Sequence, residues 1–327
     1  MILFDLVIFL IACIILSQSS TFLVKSLAKI SSYLRVNEFT IGFILVAVAT
    51  SLPETFIGIM SAMAKTPQFS IGNVIGANII DMTLIVGIGA LLSKKIILSS
   101  KIIKKDMFMM FFILLIPVFF MFDHYIWNYF GINVEKGISR IDGFILLIIF
   151  IFYIYTLIKQ ETKFSKTISY SSQKEVIKNF AIFIISLVLL LTSSNFVIDY
   201  AKIIAIELNL NPLLIGLFII SVGTTLPELM FTIKSVFQKH DEMAIGDIVG
   251  SVITNSTLVL GMTAIIHPII VVPSIYLSSV FFLIFSAFIF LSFSESDNGI
   301  SWKEGLFLIF FYFVFIIIEA YFKNFAI

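Results

Sequence analysis

The chain has 327 residues, 60% of them hydrophobic and 13% charged, against about 25% charged in an ordinary soluble domain, so a soluble globular protein is excluded. Its 21 basic and 20 acidic residues leave a formal net charge of +1, which points to no nucleic-acid partner. The single cysteine, Cys13, excludes an intrachain disulfide and any multi-cysteine metal site. What remains is an all-α polytopic membrane protein, because each bilayer span takes roughly 20 apolar residues and a chain of this length holds about ten of them with short loops.

In chain order, apolar runs predict spans near 2–20, 39–63, 69–92, 106–122, 141–158, 179–199, 211–236, 243–267, 272–293 and 303–322. The first run lacks a positive start, carries Asp5 and has no small-residue cleavage site, so it reads as a helix rather than a signal peptide. It and the sixth can continue past Ser17 and Ser193. With the amino terminus outside, Lys25, Lys29 and Arg35 fall in the first inner loop, and 16 of the 21 basic residues face the cytoplasm, as the positive-inside rule requires. The expectation is a cell-membrane protein with both termini extracytoplasmic. The stretch Lys159 to Lys178, with five lysines, reads as a cytoplasmic linker between an N-terminal half (1–158) and a C-terminal half (179–327). Trp127 and Tyr129 suggest an outer interfacial belt, and Trp302 with Lys303 an inner one. The three histidines, His124, His240 and His267, fall at predicted loops or helix ends and are expected to be solvated or interfacial. Residues 131–137 read as an exposed outer loop.

The segment 41–90 aligns on 215–264 at a constant offset of 174, without a gap and with 18 identities in 50 positions. The matches include Thr50-Ser51-Leu52-Pro53-Glu54 on Thr224-Thr225-Leu226-Pro227-Glu228, Ile71-Gly72 on Ile245-Gly246, and Gly76 on Gly250. Shared membrane composition would match Leu and Ile, not Pro and Glu. Corresponding helices lie five spans apart, an odd number, so the second copy is inverted relative to the first. Two inverted five-helix repeats are a transporter signature, with the site near the midplane where the copies meet.

Pro53 has no amide hydrogen for the carbonyl of Ala49, and Pro227 none for that of Gly223. Freed carbonyls at membrane depth persist only in a polar, protein-lined setting, and a bound cation satisfies them. Glu54 and Glu228 follow at once, four residues after Thr50 and Thr224, so hydroxyl and carboxylate share a helical face. A carboxylate at a helix centre costs about 2.5–3.5 kcal/mol; two at equivalent repeat positions argue for an ion site. Two glutamates and two kinked backbones approach the six to eight oxygen ligands that Ca2+ takes, and the absence of nitrogen or sulfur donors disfavours zinc and copper. Asp81 and Asn255, five residues after Gly76 and Gly250, would add a third carboxylate and an amide. Asn73 and Asp247 are a second matched pair, serving either as support behind the site or as part of its lining.

These motifs resemble the cation/Ca2+ exchanger superfamily, and within it the prokaryotic Na+/Ca2+ exchangers, through T-S/T-L-P-E and G-N/D-x-x-G-S/A in both alpha repeats. The resemblance implies ten helices in two inverted halves and exchange of Ca2+ for Na+ through one central cluster. It implies that Glu54 and Glu228 are the shared carboxylates, that the Thr50 and Thr224 carbonyls complete the Ca2+ site, and that Ala47, Ser51, Ser221, Thr225 and Ser251 line flanking Na+ sites. Relatives often carry Asn in the first repeat and Asp in the second at the positions of Asp81 and Asn255, so this pair is exchanged here. Ala77 stands where Ser is common, while its mate Ser251 keeps the hydroxyl. The alternative is a H+/Ca2+ antiporter, since protons also neutralise crowded carboxylates; its relatives usually show G-N-x-x-E, which Gly76 and Gly250 do not match.

An intramembrane aspartyl enzyme built on Asp81 and Asp247 is disfavoured because each Asp is matched by an Asn in the other repeat, and neither H-E-x-x-H nor G-x-S-x-G occurs. A passive channel is disfavoured because inverted repeats imply alternating access. The expectation is a transporter without a cofactor, without a long cytoplasmic regulatory domain, and functional as a monomer.

Overall fold

The computed structural model describes residues 2–34, 36–98, 101–129, 136–161, 173–207, 221–271, 273–296 and 299–324. Helix dominates, as hydrocarbon demands when no water is available to satisfy the backbone. Eight described helices are long and apolar enough to cross a membrane, or nine if the bent pair Glu38–Thr50 and Leu52–Met63 is one span. The expected tenth, over 211–236, falls on described residues from Ser221 onward, as helices Ser221–Thr224 and Leu226–Phe237. Of the linker expected at 159–178, the described ends are helical, in Arg140–Glu161 and Gln173–Glu207.

The first helix runs from Ile2 to Leu34, so Lys25 and Lys29 lie on a helix and not in a loop. Both are on its exposed side, while Leu23, Val24, Leu27 and Ile30 face inward. That stripe packs on Phe183 and Leu190 of the long helix Gln173–Glu207, in a hydrophobic cluster that also takes in Ile41, Val46, Phe231 and Met243. The larger core is built mainly by helices Gln68–Ile80, Lys101–Tyr129, Arg140–Glu161, Asp241–Thr254, Pro273–Glu295 and Trp302–Asn324.

The repeat is visible in the packing. Helix Val86–Ser93 crosses Trp302–Asn324 at Gly87 and Gly305, and Leu260–Ile266 crosses Arg140–Glu161 at Gly261 and Gly143. A Cβ at Gly87 would stand 2.7 Å from the Gly305 carbonyl oxygen, and one at Gly261 would stand 3.0 Å from that of Gly143. Small residues thus let backbones touch, which is how membrane helices gain packing without a hydrophobic drive. Each half lends its last helix to the other half, and the offset of 174 carries Gly87 onto Gly261.

Two small antiparallel sheets repeat this exchange. Strand β1 (Lys95–Ile97) pairs with β4 (Gly299–Ser301), and β2 (Gly137–Ile138) pairs with β3 (Ile269–Ile270). The same offset carries 95–96 onto 269–270, so the repeat exchanges one sheet for the other. The sequence reading of 131–137 as an exposed loop is corrected at its end. Gly137 is buried in β2 at φ +104°, and any Cβ there would meet the Ile269 carbonyl oxygen; residues 131–135 lie outside the described ones.

The histidine expectation also needs correction. His124 is buried inside helix Lys101–Tyr129, and His240 is half-buried, its Nδ1 2.9 Å from a Glu38 carboxylate oxygen. His267 does cap a helix end, that of Leu260–Ile266. Tyr129 and Trp302 are exposed, as an interfacial role requires.

Candidate cation site

Both Thr-Ser/Thr-Leu-Pro-Glu motifs break their helix at the same place. Val48–Thr50 ends and Leu52–Met63 begins across Ser51 (φ −78°, ψ 4°). Ser221–Thr224 and Leu226–Phe237 meet across Thr225 (φ −94°, ψ 9°). In each case the proline is the second residue of the new helix, where its missing N–H costs nothing and its fixed φ suits the first turn. The first break bends the chain by 41°. Glu54 and Glu228 therefore occupy the third position of a helix start.

Beyond the break, each helix turns one face inward. Leu52–Met63 buries Glu54, Gly58, Ser61 and Ala62, and Leu226–Phe237 buries Glu228, Thr232 and Ser235 among others. The spacing of four and then three is one helical stripe. Phe56, Met60 and Met63 on the first and Phe237 on the second stay exposed.

The second helix of each repeat closes over these breaks. Every residue from Met243 to Thr254 is buried, and Gln68–Ile80 is buried along most of its length. Each then enters a π-helical turn, at Asp81–Ile85 and at Asn255–Val259, again 174 residues apart. A π turn widens the helix and takes carbonyls out of the regular ladder, and such turns favour functional sites. Thr83 and Thr257 donate their hydroxyls to the carbonyls of Ile79 and Ile253, so the same side chain satisfies the backbone in both copies. Asp81 and Asn255 stand at the first residue of each turn.

Around Glu228 three further carboxylates, those of Glu54, Asp81 and Asp247, lie within electrostatic reach. Asp81 feels the charges of Asp247 and Glu54, and Glu228 feels those of Glu54, Asp81 and Asp247. All four are buried: Glu54 and Asp81 are 1% exposed, Glu228 2% and Asp247 0%. No basic side chain pairs with any of them among the described residues. The Thr224 hydroxyl stands beside Glu54 and that of Thr50 beside Asp247, although the Thr50 hydroxyl spends its proton on the Val46 carbonyl at 3.1 Å. Both oxygens of Glu54, both of Asp247, and one each of Asp81 and Glu228 lack a hydrogen-bond partner. So do the hydroxyls of Ser51 and Ser251 and the Asn255 side-chain oxygen, while one donor beside these acceptors, the Asn73 amide nitrogen, is unpaired too. Buried polar atoms ordinarily find partners, so a cluster of acceptors without them suits a positively charged ligand.

Among the described residues no three acidic, imidazole or thiol side chains converge as a ready cage for one ion. Thr225 is buried at the second break. Ala47 and Ala77 are buried too, with Ala47 against Gly250. Ser221 opens its helix, and its side chain lies outside the described ones. Sequence reasoning missed Asn78, which is fully buried and joins the two repeats. Its Nδ2 donates to Ser256 Oγ at 2.9 Å, and its Oδ1 accepts from Asn255 Nδ2 at 3.2 Å. Its position three residues before Asp81 was the available signal.

Paired helix breaks, paired π turns and a buried acidic cluster at the meeting of two repeats define a polytopic membrane transporter for cations. The model of the sodium/calcium exchanger protein family matches residues 4–159 and 178–321, and the chain belongs to that family of membrane cation/Ca2+ antiporters. It is similar to an uncharacterised membrane protein of Methanocaldococcus jannaschii, 30% identical over 74% of this chain and 76% of that one. It is also similar to the sodium/calcium exchanger MaX1 of Methanosarcina acetivorans, 27% identical over 98% and 100%. A solved structure of the sodium-calcium exchanger NCX_Mj, soaked with Na+ and Sr2+, superposes with a TM-score of 0.80 at 25% identity, covering 96% of this chain and 98% of that one.

Proposed function

We propose that this chain exchanges Ca2+ for Na+ across the cell membrane by alternating access, with Glu54 and Glu228 as the carboxylates both ions share. One observation carries the reading. Two buried glutamates, each set by a proline at a helix start, lie within electrostatic reach of each other across the repeats, with three of their four carboxylate oxygens free of hydrogen bonds. The Thr50 and Thr224 carbonyls complete the Ca2+ shell, and Ser51, Thr225, Ser251, Ser221 and the surroundings of Ala47 and Ala77 receive Na+. Asp81 and Asn255 contribute a carboxylate and an amide to the cluster. The similarity to a sodium/calcium exchanger over its whole length supports Na+ as the counter-ion.

The coupling follows from charge. A cluster of ionised carboxylates cannot be sealed into low dielectric without compensation, so the empty carrier is held back from rocking while a Ca2+-loaded or Na+-loaded one passes. That penalty makes the process exchange rather than leak. The same reading puts both termini outside the cytoplasm, treats 1–158 and 179–327 as inverted halves joined by 159–178, and requires one chain per transport unit.

The test is Ca2+ uptake by reconstituted vesicles loaded with Na+ and diluted into Na+-free medium, beside K+-loaded and acid-loaded vesicles and the Glu54→Gln variant. Uptake driven by Na+ and lost in the variant is expected. Uptake driven by protons alone would replace Na+ by H+ as the counter-ion. No gradient-coupled Ca2+ flux in any of them would sink the reading.

A further inference from the structure

The end of the first helix and the start of the long helix Gln173–Glu207 enclose a cavity of about 340 Å3, with Lys29, Ser32 and Lys178 in its wall. A second cavity of about 420 Å3 adjoins it, lined by Ile30, Leu34, Val176, Ile177, Phe180 and Ala181, all apolar. The two share Ile30 and Val176, so a polar compartment and an apolar one stand side by side. Both helices are long and apolar enough to cross a membrane. From Phe180 an exposed apolar track continues along the long helix through Ile184 and Val188, spaced one turn apart and so on one face.

The charge at this end is one-sided. Lys29 lies five residues before Leu34, and Lys178 five after Gln173, so both stand about 7.5 Å in from their helix ends at a rise of 1.5 Å per residue. Lys25 and Lys174 are one turn away on the same two helices, and all four side chains are exposed. None of the four forms an ion pair among the described residues, and Glu175, the acid in the cavity wall, pairs with neither Lys29 nor Lys178. Two ammonium groups lining one cavity repel each other, and an anion between them reverses that cost.

We propose that this pair of cavities binds an anionic phospholipid, with its phosphate between Lys29 and Lys178 and a hydrocarbon chain against Val176 and Phe180. Basic pockets between membrane helices suit phosphate headgroups. A soluble anion would leave the apolar compartment and its track uncovered, and a zwitterionic headgroup brings a cation of its own to the lysines. The helix pair it would bridge also flanks both broken spans: the cluster around Leu27 and Phe183 takes in Ile41, Val46 and Phe231, and the Ser20 hydroxyl donates to the Met230 carbonyl at 2.8 Å. A bound lipid therefore adds a tie between the two helices that brace the breaks.

The test uses the purified full chain in a mild detergent, delipidated and then offered phosphatidylglycerol, phosphatidylcholine or glycerol 3-phosphate. Native mass spectrometry counts what is retained, and thermal unfolding follows the stability. The wild type is expected to retain about one phosphatidylglycerol per chain, to release phosphatidylcholine, and to melt higher with the first than with the second. Lys29→Gln/Lys178→Gln is expected to weaken phosphatidylglycerol binding about 30-fold, and Ala181→Phe, which fills the apolar compartment, to weaken it as well. Lys65→Gln/Lys303→Gln, which removes two exposed lysines elsewhere, is expected to leave binding unchanged. Equal retention of the two lipids by the wild type, or an equal rise in melting temperature with glycerol 3-phosphate alone, would overturn the proposal without any variant having to fold. Full affinity in Lys29→Gln/Lys178→Gln, or equal losses in the two lysine variants, would overturn it too. None of these readouts involves Ca2+, so the antiport reading stands or falls separately.

Discussion

Asn78 and Asn255 tie the two repeats together at the cluster: the Asn255 amide donates to the Asn78 side-chain oxygen at 3.2 Å, and the Asn78 amide passes on to Ser256 at 2.9 Å. All three side chains are buried. Asn78→Val would leave the Asn255 donor and the Ser256 hydroxyl without this partner, at a cost of about 1–3 kcal/mol for a buried polar group left unsatisfied. The expected result is a lower unfolding temperature in detergent by that measure, together with weaker Ca2+ binding because Asn255 is no longer held. An unchanged melting curve would show that the bridge contributes nothing.

Gly246 tests how closely the halves must fit. Its missing Cβ lets the Phe39 carbonyl approach, and an alanine methyl would need that backbone oxygen to retreat from 2.2 Å. Backbone cannot rotate away as a side chain can, so the two helices must separate, at about 1–3 kcal/mol for an overpacked contact. Gly246→Ala is expected to lower stability and also to slow Ca2+ exchange, since Asp247 moves with the helix. Thermal unfolding and vesicle flux measured on the same preparation check both.

The breaks and the glutamates were legible in the sequence because proline carries its mechanism locally and the repeat shows it twice. The π turns were not. They leave no mark in hydropathy, and the shared Thr83 and Thr257 are the trace that a closer reading of the alignment offers. Asn78 escaped for the opposite reason: its aligned mate is Val252, so a search for matched polar pairs passes over it. Lys25 and Lys29 ended the first predicted span because charge interrupts an apolar run, yet a helix can carry both on one exposed side while Leu23 and Leu27 stay buried. Gly137 looked like loop because glycine marks turns; its burial depends on a strand partner 133 residues away, Ile270, which no local pattern reveals.

His240 makes one inter-repeat contact sensitive to pH. It sits between helices Leu226–Phe237 and Asp241–Thr254 and meets Glu38 at the start of the other repeat's broken span. The hydrogen bond to Glu38 raises the imidazole above its ordinary value; burial opposes this, and the charges of Glu38 and Asp241 reinforce it. Lys95, Lys239 and Glu242 share the same cleft. Because the folded-state value is raised, the stabilisation is fully present below the unfolded value of about 6.5 and is lost as pH rises through the folded one. The partly exposed pair is screened, so about 0.2–1 kcal/mol is expected. His240→Gln should therefore melt below the wild type at about pH 5.5 and with it at about pH 9; a gap that widens with rising pH would refute the assignment.

Cation removal should show in stability as well as in flux. The four buried carboxylates repel one another when ionised, and no basic residue offsets them among the described residues. A ligand that binds the folded state alone adds RT ln(1 + [L]/Kd), about 2.7 kcal/mol at a hundredfold excess over Kd. Wild-type protein in detergent is expected to melt lower in a chelator without Na+ and to gain roughly that amount as Ca2+ is restored. Glu54→Gln removes one charge at a site where neither oxygen has a hydrogen-bond partner. Its melting point in chelator should accordingly be no lower than the wild type's, and the Ca2+-dependent rise should disappear. This pattern separates a ligand from a structural residue, because a glutamate needed for packing would lower the baseline and keep the rise.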